Sequence, residues 1–241
     1  AVPGVDVLSF KQEELRLLNV ANVVFTTSLA LMEMCSEQNK NTYYFSNVVD
    51  KEHFNLALID GPLPNELQEI PEPRIGYVGV LSDFKIDFQL LVDVAHNHPE
   101  WNFVFIGEER EGQNSAYVRQ LRTMRNVHFL GYRSYQVLPN YLRGFNVALL
   151  PTLINDYTKS MFPMKYYEYI AAGLRIVSTP IDFTRYNKAS METGEDEKSF
   201  QHAIQKQLGM SKLTLPESDL YIGDNTWGAR MEKMLDLMDG S

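Results

Sequence analysis

Residues 146–180 read NVALLPTLINDYTKSMFPMKYYEYIAAGLRIVSTP, and the fold is decided in this stretch. Residues 146–150 form a short apolar run closed by Pro151, the pattern of a strand buried on both faces of a parallel sheet. A polar loop follows over 152–160. Pro163 suits the first position of a helix, where its missing N–H costs nothing. Apolar and aromatic residues then recur at helical spacing over 164–172, and Gly173 fits the position just past a helix end. Residues 175–179 make the next strand, closed by Pro180. The loop thus joins the carboxyl end of a strand to the amino end of a helix. Unpaired N–H groups and the positive end of the helix dipole favour an anion there, such as a diphosphate.

Glu168 lies on this helix between Tyr167 and Tyr169, about a turn and a half beyond Pro163. A carboxylate so placed can accept two hydrogen bonds from a vicinal diol such as that of ribose. The competing reading is a helix glutamate facing water, the usual fate of a charged residue.

The run YEYIAAGLRIV, residues 167–177, resembles the donor-binding half of GT-B glycosyltransferases of the retaining, family-four kind. That signature is a pair of Glu residues at fixed spacing, then an alanine-rich helix end, a Gly and a strand. The resemblance puts the ribose-binding Glu on Glu168. The other Glu of the pair, which lies close to the donor sugar in that family, falls on Ser160, so half of the motif is absent. A subgroup reading Pro-x-Lys-x-x-Glu-Tyr, as residues 163–169 do here, shares this lack. By the same resemblance the loop 161–165 holds the diphosphate. The N–H groups of Met164 and Lys165 behind Pro163 would be donors, and Lys165 would add positive charge. Negative charge builds on the leaving diphosphate as the glycosidic bond breaks, and fixed dipoles and cations act most strongly there.

Size and composition bound the rest. The chain has 241 residues, 44% of them hydrophobic, and can hold one large domain or one domain with part of another. Cys35 is the single cysteine, so no internal disulfide forms, which fits a reducing, cytoplasmic compartment. The formal net charge of −9 argues against nucleic acid as a partner, because backbone binding needs a basic face. No apolar run is long enough to span a bilayer. Peripheral membrane association of a longer protein stays open. The opening AVPGVDVLSF carries no signal peptide and reads as the middle of something longer, so a truncated chain is expected.

Residues 1–54 read as the tail of an N-terminal, acceptor-side α/β unit. Within it lie a short helix, a strand over 22–26, a helix capped by Thr27 or Ser28 with Leu29, Met32 and Cys35 inward, and a β-rich run over 42–45. Residues 46–50, SNVVD, resemble in part the strand-plus-PNGVD element that leads into the hinge of the family. Residues 55–73 carry Pro62, Pro64, Pro71 and Pro73 and read as the linker. The donor unit then runs over 74–222. Its first strand, RIGYVGV, ends at Gly79; two glycines alone make a weak dinucleotide signal. In the family the following loop carries an Arg and a Lys on the diphosphate. Val80 takes the Arg position here, and Lys85 is the nearest candidate for the Lys, with a solvated lysine as the alternative.

A helix over 87–96 leads to Trp101, read as packing at a sheet edge, and to a third strand over 102–107. His96 and His98 have no metal-ligand set around them, and no Asp-x-Asp pair sits in a strand-end loop, so no metal is expected. A fourth strand over 127–130 precedes Gly131-Tyr132-Arg133. The resemblance places the nucleotide base against this loop, suiting an aromatic face at Tyr132 or a guanidinium plane at Arg133; an exposed turn is the alternative. After Pro180 the pattern thins. Residues 193–198 read as a solvated acidic loop, 200–208 as an amphipathic helix and 213–221 as irregular. Residues 223–241 form a last helix, read as packing back across the hinge with Met231, Met234, Leu235 and Met238 as core or inter-domain contacts.

Strands alternating with helices call for an α/β class, Rossmann-like, doubly wound parallel sheet with right-handed crossovers, which the resemblance makes the C-terminal half of a GT-B fold. Ligands of such sheets bind at the carboxyl ends of the strands, where all of these candidates fall. The expected function is that of a glycosyltransferase domain binding a nucleotide-diphosphate sugar as substrate, with no cofactor. The acceptor would be a carbohydrate or lipid-linked, in polysaccharide or glycoconjugate synthesis. The family's acceptor site and catalytic group lie largely in the N-terminal domain, so this chain by itself is expected to bind donor without robust transfer. A non-catalytic nucleotide-binding module with a degenerate site is the alternative, favoured by Ser160 and Val80; a nucleotide-sugar epimerase is a third reading.

Overall fold

The computed structural model describes residues 6–109, 115–188 and 190–240. Its helices are α1 (Val7–Val20), α2 (Leu29–Ser36), α3 (Lys51–Asn55), α4 (Asn65–Gln68), α5 (Phe88–Asn97), α6 (Ala116–Leu121), α7 (Leu138–Leu142), α8 (Lys165–Ala171), α9 (Glu197–Leu208), α10 (Leu215–Ile222) and α11 (Trp227–Asp239). Its strands are β1 (Val24–Thr26), β2 (Thr42–Tyr44), β3 (Arg74–Val78), β4 (Asn102–Ile106), β5 (Val127–Gly131), β6 (Val147–Leu150), β7 (Arg175–Ser178) and β8 (Met191–Thr193). Among the described residues, no helix is long and apolar enough to cross a membrane.

β1 and β2 pair as a small parallel sheet, and the other six strands form one parallel sheet in the order β5-β4-β3-β6-β7-β8. Strand side chains alternate between the two faces. Phe103, Phe105, Val147 and Leu149 point into a core with α5, α6 and α9. Val104, Ile106, Ala148 and Leu150 point into a second core with α7, α8 and α10. Burial on both faces is why these strands read as unbroken apolar runs. The chain order reverses between β3 and β6, so the crevice at their carboxyl ends is the switch point of the sheet.

α8 is fixed from both ends. Gly173, at φ +75°, closes it: its own N–H reaches Ile170 O and the N–H of Leu174 reaches Tyr169 O. The phenol of fully buried Tyr169 accepts the N–H of Val78 at 2.9 Å, which pins the helix to the end of β3. The helix itself starts at Lys165, with Pro163 buried just ahead of it.

Several expectations change. The thin pattern after Pro180 conceals β8, an edge strand too short to show a periodicity, and the loop expected over 193–198 is confined to 194–196: Thr193 ends β8 and Asp196 caps α9 through the N–H of Ser199. The irregular stretch is α10, announced by a reciprocal cap between Thr214 and Glu217 with Pro216 in the first turn. Trp101 is buried and stacks on His98 at 3.7 Å, but it leads into β4, an inner strand rather than an edge. The segment 55–73 is no loose spacer. Ala57, Leu67 and Ile70 enter the core, because prolines break regular structure without preventing burial of the apolar residues between them.

The stripe on α11 is also not core: the helix has no buried residue, and Trp227 is 60% exposed. The start of α11 and the turn before it do lie on residues 45–49. The N–H of Val49 donates to Asn225 O, Ser46 Oγ bonds Asn225 Oδ1 at 2.7 Å, and the Arg230 guanidinium stands 4.8 Å over the Phe45 ring.

Gly76 tests the packing between β3 and Phe145, in the turn that joins α7 to β6. A Cβ there would come within 1.9 Å of the buried Phe145 ring. Gly76→Ala is expected to cost about 2–3 kcal/mol in urea unfolding; unchanged stability would contradict this contact.

Candidate nucleotide-binding site

The floor of the site is backbone. β3 and β4 run on into Gly79 and Gly107, at φ +156° and +144°, and a Cβ on Gly107 would lie 1.9 Å from the carbonyl oxygen of Gly79. Only glycine permits this approach. The N–H of Gly79 bonds Ile106 O and that of Gly107 bonds Gly131 O, which draws the ends of β3, β4 and β5 together. Above them opens a cavity of about 220 Å³, walled by Val80, Glu108, Tyr132, Arg133, Tyr135 and Lys165.

Four of the residues singled out in the sequence meet here: Gly79, Tyr132, Arg133 and Lys165. Glu168 stands directly behind Lys165, whose Nζ lies 2.6 Å from Glu168 Oε2. Glu168 is 8% exposed, so it is not a glutamate facing water. Its neighbours on α8, Tyr166, Tyr167, Tyr169 and Ile170, are all buried, and the backbone geometry forces the carboxylate into the protein with them. Burial raises its pKa, while the Lys165 ammonium and, more weakly, His53 pull it down. Met164 is exposed at the helix start. Among the described residues, the N–H groups of Met164 and Lys165 have no acceptor.

The other candidates stand apart. Ser160 Oγ bonds Asp182 Oδ2 at 3.2 Å and lines a second cavity with Ser28 and Tyr44. Lys85 is exposed, with Nζ 5.6 Å from the Tyr157 ring centre. Tyr132 is 55% exposed and free to offer its ring. The guanidinium plane of Arg133 is engaged by protein: it reaches Glu66 Oε1 at 2.6 Å, the Tyr141 hydroxyl at 2.7 Å and Tyr132 O at 2.9 Å.

Two residues at the site carry no sequence signal of this role. His53 on α3 lies 82 residues from Tyr135, yet its Nε2 reaches Tyr135 O at 2.9 Å and the rings stack at 4.4 Å. Tyr135 was within reach of a wider window after Arg133. Burial, with the charges of Asp50 and Glu168 nearby, pushes its hydroxyl up to about 12. No group of three or more metal-ligating side chains occurs among the described residues.

The ion pair has opposite consequences for its two members. Lys165→Met leaves a buried carboxylate without its cation and is expected to cost about 3 kcal/mol at neutral pH. Glu168→Gln removes the buried charge and is expected to cost nothing. The sign follows from the raised pKa: the native state holds this proton more tightly than the unfolded chain. Glu168 therefore favours folding most below the ordinary carboxylate pKa and loses that contribution as pH rises through its higher folded value. Urea unfolding of wild type and Glu168→Gln between those pH values should show a falling stability only in wild type; equal slopes would contradict the burial.

Comparison with known proteins places the chain. It is 25% identical over 178 residues to TuaH of Bacillus subtilis (strain 168), provisionally named a teichuronic acid biosynthesis glycosyltransferase; the match takes in 72% of this chain and spans 44% of that relative. The fold is that of HepE from Anabaena, solved in complex with UDP-glucose, with a TM-score of 0.75 and 14% identity over 98% of this chain and 70% of that one. Sucrose-phosphate synthase from Thermosynechococcus elongatus superposes with a TM-score of 0.71 at 17% identity, over 100% of this chain and 64% of that one. The sequence profile of the family described as Glycosyl transferases group 1 matches residues 72–209, more than half of the 241, so with its Rossmann-like parallel sheet and the glycine-floored cavity at its switch point this chain belongs to the group 1 glycosyltransferases.

Proposed function

We propose that the chain binds a nucleotide-diphosphate sugar in the cavity at the ends of β3, β4 and β5 and serves as the donor half of a glycosyl transfer. The observation that carries this reading is Lys165 at the cavity wall, charge-paired to buried Glu168. Lys165 engages only Oε2 of Glu168, so Oε1 is left for the ribose diol. The diphosphate then lies along Lys165 and the N–H groups of Met164 and Lys165. Charge developing on the leaving group is met by donors already in place, which lowers the barrier without reorganisation. The nucleotide sugar is the substrate, and the reading calls for no cofactor. Tyr132 and Tyr135 offer ring faces to the base. Because HepE was solved with UDP-glucose, uridine diphosphate is the first nucleotide to try.

On this reading residues 74–222 form the donor unit, 1–54 belong to the acceptor side, 55–73 connect them, and 223–241 cross back to the segment ahead of the hinge. The acceptor is a carbohydrate or a lipid-linked carbohydrate, in the synthesis of a polysaccharide, and the setting is cytoplasmic. A non-catalytic nucleotide-binding module is the second reading. It is favoured by Ser160, which sits where the family's sugar-side carboxylate would be and is bonded to Asp182.

Calorimetry with UDP, GDP and ADP tests the donor site. Binding of UDP, weakened about ten- to a hundredfold by Glu168→Ala and by Lys165→Ala, is the expected result. Failure of all three nucleotides to bind would overturn it.

A further inference from the structure

The loop that walls the cavity is held by the segment ahead of the sheet. Between the Gly107–Gly131 backbone bond and the bond from Val137 N–H to Ser134 O, the N–H groups of Tyr132, Arg133, Ser134 and Tyr135 have no acceptor among the described residues. Two side chains do the holding instead. Glu66 on α4 takes Arg133 through Nη2 at 2.6 Å and Nε at 3.2 Å, and its Oε1 also accepts the Tyr141 hydroxyl at 2.6 Å. Arg133 Nε donates to the same hydroxyl at 2.7 Å, and Arg133 Nη1 turns back to Tyr132 O. The result is a closed triangle of charge-assisted bonds, which lowers the Glu66 carboxyl pKa and raises that of Arg133. His53 on α3 covers the other end: its ring stacks on Tyr135, its Nε2 donates to Tyr135 O, and Phe54 presents its edge to the same tyrosine at 5.4 Å.

We propose that His53 and Glu66 are positioning residues for the nucleotide base, holding Tyr135 and the Tyr132–Arg133 turn in the shape that receives it, so that the segment between the two units sets the affinity of the site. This rests on the nucleotide-binding reading above. Glu66 forms its bonds with Arg133 and Tyr141, and His53 acts on Glu168 through its charge without a hydrogen bond to Glu168 or Lys165 among the described residues. The clamp therefore acts on the base and not on the diphosphate. A shift of α3 or α4 relative to the sheet would loosen the loop and release nucleotide.

Calorimetry with UDP and with inorganic pyrophosphate, alongside amide exchange of Gly107 and Val137, whose N–H groups bond Gly131 O and Ser134 O at the two ends of the loop, separates the possibilities. Glu66→Ala and His53→Ala should each weaken UDP about tenfold and leave pyrophosphate unchanged. His53→Gln, which keeps a donor, should weaken it less, and the exchange of charges in Glu66→Arg with Arg133→Glu should restore part of the loss. Unfolding midpoints in urea show that each variant is folded. UDP affinities equal to wild type, or parallel losses of UDP and pyrophosphate, would overturn the assignment. If wild type binds neither probe, the nucleotide reading itself fails, and amide exchange decides the clamp alone: faster exchange of the bonded N–H groups of Gly107 and Val137 in the variants supports it and unchanged exchange refutes it.

Discussion

A carboxylate at 8% exposure is tolerable only with a cation against it, and Lys165 supplies that cation at 2.6 Å. The pair is weak evidence of a contribution to folding, since buried ion pairs seldom outdo apolar residues of similar size. Its placement is better explained by function. α8 is buried along nearly its whole length by tyrosines and small residues, and its charged side chains are those of Lys165 and Glu168. A helix so deeply packed cannot let its carboxylate drift to solvent, and the distance from Glu168 to the cavity is fixed by the fold.

That rigidity comes from the sheet. The Schellman closure at Gly173 and the bond from Val78 N–H to the Tyr169 phenol tie α8 to β7 and β3. The close approach of Gly79 and Gly107 opens room at the ends of β3 and β4 that any side chain would fill. Backbone floor, buried ion pair and aromatic wall thus come from different parts of the chain and converge at the point where the strand order reverses.

Most of the sheet was legible because its strands are buried on both faces, which turns each into an apolar run between breakers. β8 escapes because it is short and pairs on one side only, and α10 because its eight residues, LPESDLYI, show little apolar periodicity. At the site, Lys165 and Glu168 were legible because a single helical turn brings them together. Arg133 lies on the cavity loop with its guanidinium bonded to Glu66, 67 residues away, a pairing no local pattern announces. His53 was out of reach for the same reason. Lys85 and Ser160, positions that the family resemblance names, lie outside this cavity, beside the Tyr157 ring and bonded to Asp182.

The most direct test of the account compares UDP with 2′,3′-dideoxy-UDP, by calorimetry, on wild type and on Glu168→Ala. If the buried carboxylate receives the ribose diol, wild type binds UDP the more tightly and the variant binds the two nucleotides alike. A variant that still prefers UDP by the wild-type margin would show that the diol is held elsewhere.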